Sequence, residues 1–216
     1  MPYVLLSGGL DSTVLAAYLA PKVNGLRAIY VNHGQLGAIK EISSADNICT
    51  VLGINLKVVD IAGCWPSFSD VAAGRPSPTT SSAIALNAGL VLAMNYVAWA
   101  GEKDIYVGIH KDDLIGRPWL IDMFEKYVEA SQLIQPSTTG IPPGGDEYVG
   151  LTLHFPFKDM TKADIIKTGM NLGVDLMKTQ SCQYSTQGAC GKCYICDLRR
   201  DGFLAAGIPE ATFFAT

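Results

Sequence analysis

The chain has 216 residues, 49% of them hydrophobic and 17% charged, with a formal net charge of −4. A chain this apolar can bury a large core, which excludes global disorder, and its length suits one α/β domain with an appendage. The mildly acidic balance argues against a general phosphate-backbone binder, which needs a surplus of Lys and Arg, so a nucleic-acid partner is not expected.

Tyr3 to Leu6 is a short apolar run of the buried-strand type. No basic region precedes it, so no signal peptide is expected and a cytoplasmic setting is. The run ends at Ser7-Gly8-Gly9, and Asp11 to Leu19 reads as a helix. Leu26 to Val31 is a second strand, leading into Asn32-His33-Gly34-Gln35. Ala38 to Leu52 has helical periodicity, with Gly53 at its C-terminal stop. Leu56 to Ile61 is a third strand. Residues 63–82, rich in Pro, Gly, Ser and Thr, read as a long loop of the functional or mobile kind.

Ala83 to Ala100 is a long helix, read as buried and not as a membrane span because Asn87 and Asn95 interrupt it. Asp104 to Ile109 is a fourth strand. Arg117 to Gln135 is largely helical, with Pro118 in its first turn. Residues 135–150 form another loop, and Leu151 to Phe155 a fifth strand. Thr161-Lys162-Ala163-Asp164 resembles a capping box with Asp in place of Glu or Gln, and opens a helix to about Leu172. Strands alternating with helices at this interval predict parallel βαβ units and a doubly wound sheet.

Ser7-Gly8-Gly9-Leu10-Asp11-Ser12 carries the first chemistry. A strand feeds a glycine turn and then a helix, so backbone N–H groups and the helix N-terminus make an anion site. Gly8 and Gly9 let the backbone approach a phosphate, and the Ser7 and Ser12 hydroxyls can donate to its oxygens. Asp11 could cap the helix or hold a magnesium ion. The stretch lacks the Gly-Lys-Ser/Thr ending of a Walker A loop and the spacing of the dinucleotide-binding glycine motif. Its S-G-G-x-D-S pattern resembles the PP-loop of ATP pyrophosphatases, which split ATP between the α and β phosphates. The bland reading is an ordinary capped strand–turn–helix.

Six cysteines are present, and four of them, Cys182, Cys190, Cys193 and Cys196, lie close together in sequence. Two tight spacings let three sulfurs converge on one ion, and the loop between Cys182 and Cys190 returns the fourth. Four thiolates make a closed tetrahedral zinc site, and closed sites are structural. Iron–sulfur ligation and disulfide pairing are the other readings of four cysteines. Cys49, on a helix face, reads as core; Cys64, in a loop, has no assignment.

The two motifs together, in this order, resemble the 7-cyano-7-deazaguanine synthase (QueC) family. Asn32-His33-Gly34-Gln35 with Glu41 is similar to the family's Y-G-Q-x-H…E stretch, and Gly108-Ile109-His110-Lys111-Asp112-Asp113 to its G-V-x-x-x-D element. Pro156 to Lys162 is similar to its P-F-x-D-M-T-K segment. Thr179 to Cys182, then Cys190 to Arg199 and Gly202-Phe203, are similar to its zinc tail. The resemblance implies a Rossmann-like adenine-nucleotide fold at residues 1–178, a zinc-binding segment at 179–216 packed on it, and a homodimer. It implies that ATP, with Mg2+, adenylates the carboxylate of 7-carboxy-7-deazaguanine. Ammonia then gives the amide, and a second ATP takes the amide to the nitrile.

By the same match, Ser7, Gly8, Gly9, Leu10, Asp11, Ser12 and Gln35 are expected to bind the nucleotide. Asp11, Ser12 and Lys162 are expected to serve catalysis, with Lys162 facing phosphate charge; its bland reading is a solvated first-turn lysine. Asp113, Arg117, Trp119 and Arg199 are candidate substrate contacts. For Asp113, as for Gln35 and Glu41, a cap or a solvated polar residue is the other reading. Arg199 could equally brace the zinc knuckle, and Trp119 reads as core ahead of a base-stacking residue.

The chain departs from the family in two places. The P-x-R-N before the long helix has no Arg-Asn pair here, and G-Y-P-D-C-R becomes Gly116-Arg117-Pro118-Trp119-Leu120-Ile121. Such exchanges alter what a polar pocket can satisfy. A divergent enzyme that stops at the amide, or joins the activated carboxylate to another amine, including one on a protein as in some defence loci, is therefore an expected alternative. A tRNA-modifying PP-loop enzyme is a lesser one, and a nucleotide-binding scaffold without turnover is a third.

Overall fold

The structure, a computed structural model, describes residues 1–35, 37–62, 78–132, 150–182 and 188–210, with the backbone alone over 78–88. Cys64 and most of the two expected loops, at 63–77 and 133–149, lie outside the described residues. Strands β1 (Tyr3–Leu5), β2 (Arg27–Asn32), β3 (Asn55–Asp60), β4 (Asp104–Tyr106) and β5 (Thr152–His154) form one sheet in the order β3-β2-β1-β4-β5. Every neighbouring pair is parallel.

Period-two alternation divides the strands between two cores. Val4, Leu6 and Ala28 pack with α1 (Leu10–Leu19), α2 (Ala38–Leu52), α5 (Lys162–Asn171) and α6 (Tyr194–Ala206). Tyr3, Ile29, Val31 and Ile105 face the other way, with α3 (Pro78–Trp99) and α4 (Leu120–Gln132). A sheet covered on both faces is the expected outcome for all-parallel strands. Each fully buried Leu, Ile or Phe in these cores contributes about 1.5–3 kcal/mol.

The chain winds from β1 out to β3, then returns to β4 on the far side of β1. The order reverses between β1 and β4, and the crevice at their carboxyl ends is where such sheets bind ligands. The two segments leaving these strands approach closely. A side chain at Gly108 would meet the Ser12 amide nitrogen at 3.4 Å.

Several element boundaries differ from the sequence reading. The third helix starts at Pro78 and not at Ala83, because proline suits a first helical position and the Thr-Ser run after it continues the turn. The fourth helix starts at Leu120, since a 3-10 turn at Lys111–Leu114 and the left-handed Gly116 occupy the chain before it. The expected fourth and fifth strands shorten to three residues each, although Val107 and Ile109 remain buried. Thr161 and Asp164 form the expected reciprocal capping box, and Gly53 closes α2 in the left-handed region. Cys49 is buried, as its helix face suggests. Among the described residues, no helix is long and apolar enough to cross a membrane.

Candidate nucleotide site and cysteine centre

The turn after β1 is built around the Gly8 carbonyl. It accepts the Gln180 N–H at 2.8 Å and lies 3.0 Å from the Ser44 hydroxyl of α2. A side chain at Gly8 would stand 2.5 Å from the Glu41 carbonyl oxygen, and its φ of +72° is left-handed, so only glycine fits. In a planar trans peptide the C=O and N–H point opposite ways. Holding Gly8 C=O inward therefore turns Gly9 N–H to the other side of the turn, where it donates to Ser7 Oγ at 3.3 Å.

Gly9 caps α1 without any side-chain cap bond, and Thr13 N–H is bonded to Gly9 C=O at 3.0 Å. Among the described residues, nothing accepts from the amides of Leu10, Asp11 and Ser12, and the helix dipole stands behind them. At the start of α5, by contrast, Thr161 caps Asp164 N–H and Asp112 accepts Lys162 N–H at 2.7 Å. Ser7 and Ser12 hydroxyls lie 3.1 Å apart, and Ser12 Oγ accepts Ser7 N–H. Leu10 is buried in the core, so it can offer a ligand only its backbone.

Asp11 does not cap α1. Both of its carboxylate oxygens accept the Lys162 ammonium at 2.6 Å. Lys162 is largely buried, not solvated, because α6 crosses α5 where Gly202 leaves room for its stem; a side chain there would meet Lys162 Cγ at 2.4 Å. Beside the pair stands His110, whose Nε2 is 3.8 Å from Asp11 and 3.4 Å from Asp113. Burial raises the Asp113 carboxyl above its ordinary range and the Asp11 charge adds to this, while His110 and Lys162 pull it back. A cation, an imidazole, two carboxylates and an open helix N-terminus thus meet at the crevice.

Gln35 lies in a second cluster. Its amide nitrogen donates to Glu41 Oε2 at 2.7 Å and to the Tyr30 hydroxyl, which itself donates to Glu41 Oε2 at 2.8 Å. Burial raises the Glu41 carboxyl above its ordinary range despite these two donors. The folded protein therefore resists ionising Glu41, and that penalty is absent below the unfolded value near 4.5 and grows as pH rises above it. E41Q, with a neutral amide in place, is expected to gain on the wild type by a few degrees in Tm between pH 4.5 and 8. Melting curves across that range check the sign.

The sulfurs of Cys182, Cys190, Cys193 and Cys196 all lie within 4.8 Å of one another, with Cys190 and Cys196 at 3.9 Å. Cys190 N–H donates to Cys182 Sγ, and Gly191 supplies the left-handed turn between Cys190 and Cys193. Four thiols this close together could hold one metal ion. Arg199, 3% exposed, donates to Thr179, Ser181, the Leu176 carbonyl and Glu210. Its guanidinium ties α6 to the segment that carries Gln180 and Cys182. Arg117 is partly buried in the turn before α4, and Trp119 is 50% exposed. The expectation of Trp119 as core gives way, because α4 turns Leu120 and Phe124 inward instead.

Sequence reading did not single out His110, Asp112, Ser44 or Gln180 for roles at the site. His110 and Asp112 stand within a motif recognised by its glycine and last aspartate. Ser44 and Gln180 act on Gly8 from far along the chain, and no local pattern marks such pairs. The helix α6 was also missed, since the cysteine spacing drew attention from the Leu198, Phe203 periodicity that follows.

Comparisons with known proteins agree with this geometry. The family model for queuosine biosynthesis protein QueC matches residues 2–70 and 87–207. The chain is 33% identical over 221 residues to the 7-cyano-7-deazaguanine synthase of Ectopseudomonas mendocina (strain ymp), covering 97% of this chain and 96% of that one. It is 34% identical over 225 residues to the 7-cyano-7-deazaguanine synthase of Myxococcus xanthus (strain DK1622), covering 97% and 95%. Among solved structures, the U34-tRNA thiolase NcsA from Methanococcus maripaludis with its [4Fe-4S] cluster superposes with a TM-score of 0.57 at 17% identity. That match covers 94% of this chain but 66% of the thiolase, and at such identity it speaks for the fold alone. NMN synthetase from Francisella tularensis superposes at 0.52 with 14% identity, covering 97% and 78%. With a matching family model over most of its length and relatives above 30% identity across nearly all of it, the chain belongs to the QueC family.

Proposed function

We propose that this protein is an ATP-dependent ligase that adenylates the carboxylate of 7-carboxy-7-deazaguanine and converts it, through the amide, to 7-cyano-7-deazaguanine. The observation that carries the reading is the Lys162–Asp11 pair set against the open first turn of α1, at the switch point of a parallel sheet. The name shared by the relatives supports the product.

A carboxylate is a poor electrophile because its charge and resonance repel a nucleophile. Transfer of AMP gives it a leaving group, ammonia attacks the acyl carbon, and AMP departs. A second transfer to the amide oxygen, followed by loss of AMP and protons, leaves the nitrile. ATP enters as its magnesium complex. The amides of Gly9 to Ser12 and the Ser7 and Ser12 hydroxyls receive the leaving pyrophosphate, and Lys162 turns from Asp11 to the phosphate charge. Gln35, held by Tyr30 and Glu41, lines the nucleotide side of the crevice. Asp113, Arg117 and Trp119 face the deazaguanine, while Arg199 braces the segment behind the turn. A cytoplasmic homodimer goes with this reading.

The cysteine centre fits one zinc ion. A tetrahedron with Zn–S near 2.3 Å places its sulfurs about 3.8 Å apart, close to the Cys190–Cys196 spacing of 3.9 Å. A four-iron cluster puts each thiolate on a separate iron and needs a wider ring of sulfurs. The ion is structural, since four thiolates leave it no open position.

The test is incubation with ATP, magnesium, ammonia and 7-carboxy-7-deazaguanine, read by product mass. A nitrile with AMP and pyrophosphate is expected; no consumption of the acid would sink the reading. The exchange at Arg117 and Trp119, with Trp119 left half exposed, favours one second reading, in which the reaction stops at the amide. The same mass measurement tells the two apart.

A further inference from the structure

We propose that His110 is a positioning residue of the nucleotide site, which takes over the Asp11 carboxylate when Lys162 leaves it for the phosphates. The inference rests on the nucleotide-binding reading above. His110 is 3% exposed and follows β4 at the switch point. Its Nδ1 accepts the Asp112 N–H at 3.2 Å, so the neutral ring carries its proton on Nε2. Nε2 lies 3.4 Å from Asp113 Oδ2 and 3.8 Å from Asp11 Oδ1, both too long for a settled hydrogen bond.

A ring nitrogen held just short of two carboxylates has room to close on either of them. It has no need to close on Asp11 while Lys162 occupies both oxygens at 2.6 Å. Once phosphate charge draws the ammonium away, Asp11 would be left as a partly buried carboxylate without its cation, which is costly. Among the described residues, His110 is the other basic side chain within 4 Å of Asp11, and its Nε2 needs to move by about an ångström to reach bonding distance.

The backbone is arranged to hold the ring for this exchange. His110 N–H donates to Asp113 Oδ2 at 3.1 Å, and Asp112 Oδ2 receives Lys162 N–H at 2.7 Å. The turn that fixes the imidazole therefore also fixes the start of the helix that carries Lys162.

The two ends of the ring can be tested separately by measuring ATP affinity calorimetrically and Tm. H110N keeps an oxygen where Nδ1 accepts Asp112 N–H but loses the far donor. H110Q places an amide near the position of Nε2. H110N is expected to keep its Tm within a few degrees of the wild type and bind ATP about tenfold more weakly, the scale of one charge-assisted bond. H110Q is expected to return to within about threefold of wild type. Unchanged ATP affinity in H110N, or an H110Q no better than H110N, overturns the proposal. Should H110N fail to fold, H110Q decides alone: a loss well beyond threefold overturns it. A wild-type protein that binds no ATP defeats the nucleotide reading itself, and that outcome is distinct from failure of His110.

Discussion

K162M is expected to lower kcat/KM for adenylation by about three orders of magnitude, the scale seen when one preorganised charge is removed from a phosphoryl-transfer site. Methionine is the informative replacement. The lysine stem packs against Gly202, so a truncation to alanine would open a gap in the α5–α6 contact as well as delete the charge. Methionine keeps the stem and removes only the ammonium.

The effect on stability is expected to be much smaller. Asp11 remains about a quarter exposed and can be hydrated when its partner is lost, so the coupling between the two is screened. D11N should give the complementary result. It leaves Lys162 free to engage phosphate early, so ATP affinity is expected to fall less than in K162M while turnover still drops. Steady-state kinetics with pyrophosphate release as the readout, beside melting curves, separate the two variants. If K162M retained more than a tenth of wild-type kcat/KM, the role given to this ammonium would fail.

Removing the metal is expected to be the second large effect. Stripping with a strong chelator in the presence of reductant should lower Tm by roughly 10 °C or more, because structural zinc contributes several kcal/mol of folding free energy and each kcal/mol moves a chain of this size by ~2–4 °C. ATP affinity should fall in parallel. Gln180, whose N–H holds Gly8 C=O, also donates its side-chain amide to Cys182 C=O at 2.8 Å, so loss of the metal loosens a strut of the phosphate turn. Metal analysis of the purified protein should give one zinc per chain. Four irons with a visible charge-transfer band would refute the single-ion reading. C193S is expected to reproduce the stripped state.

Much of this was legible in the amino-acid order. Alternation of short apolar strands with helices announced the doubly wound sheet, since those periods follow from backbone geometry alone. The turn at Ser7 to Ser12 was legible because glycine and a helix start are local features. The cysteine quartet was legible because spacing limits which sulfurs can converge. His110, Ser44 and Gln180 were not, because their importance comes from partners brought near by the fold. Lys162 was visible as a cation near a helix start, but its alternative reading as a solvated side chain falls only once α6 is seen to cover it. Trp119 misled for the opposite reason: a large aromatic reads as core until the helix phase is known.

The bond from Gln180 to Gly8 also bears on the order of events during synthesis. The opening strand and its turn are synthesised well before Gln180, whose N–H helps to fix the turn's orientation. A nascent polypeptide therefore cannot fix this turn through Gly8 C=O until the segment carrying Gln180 has emerged and folded back.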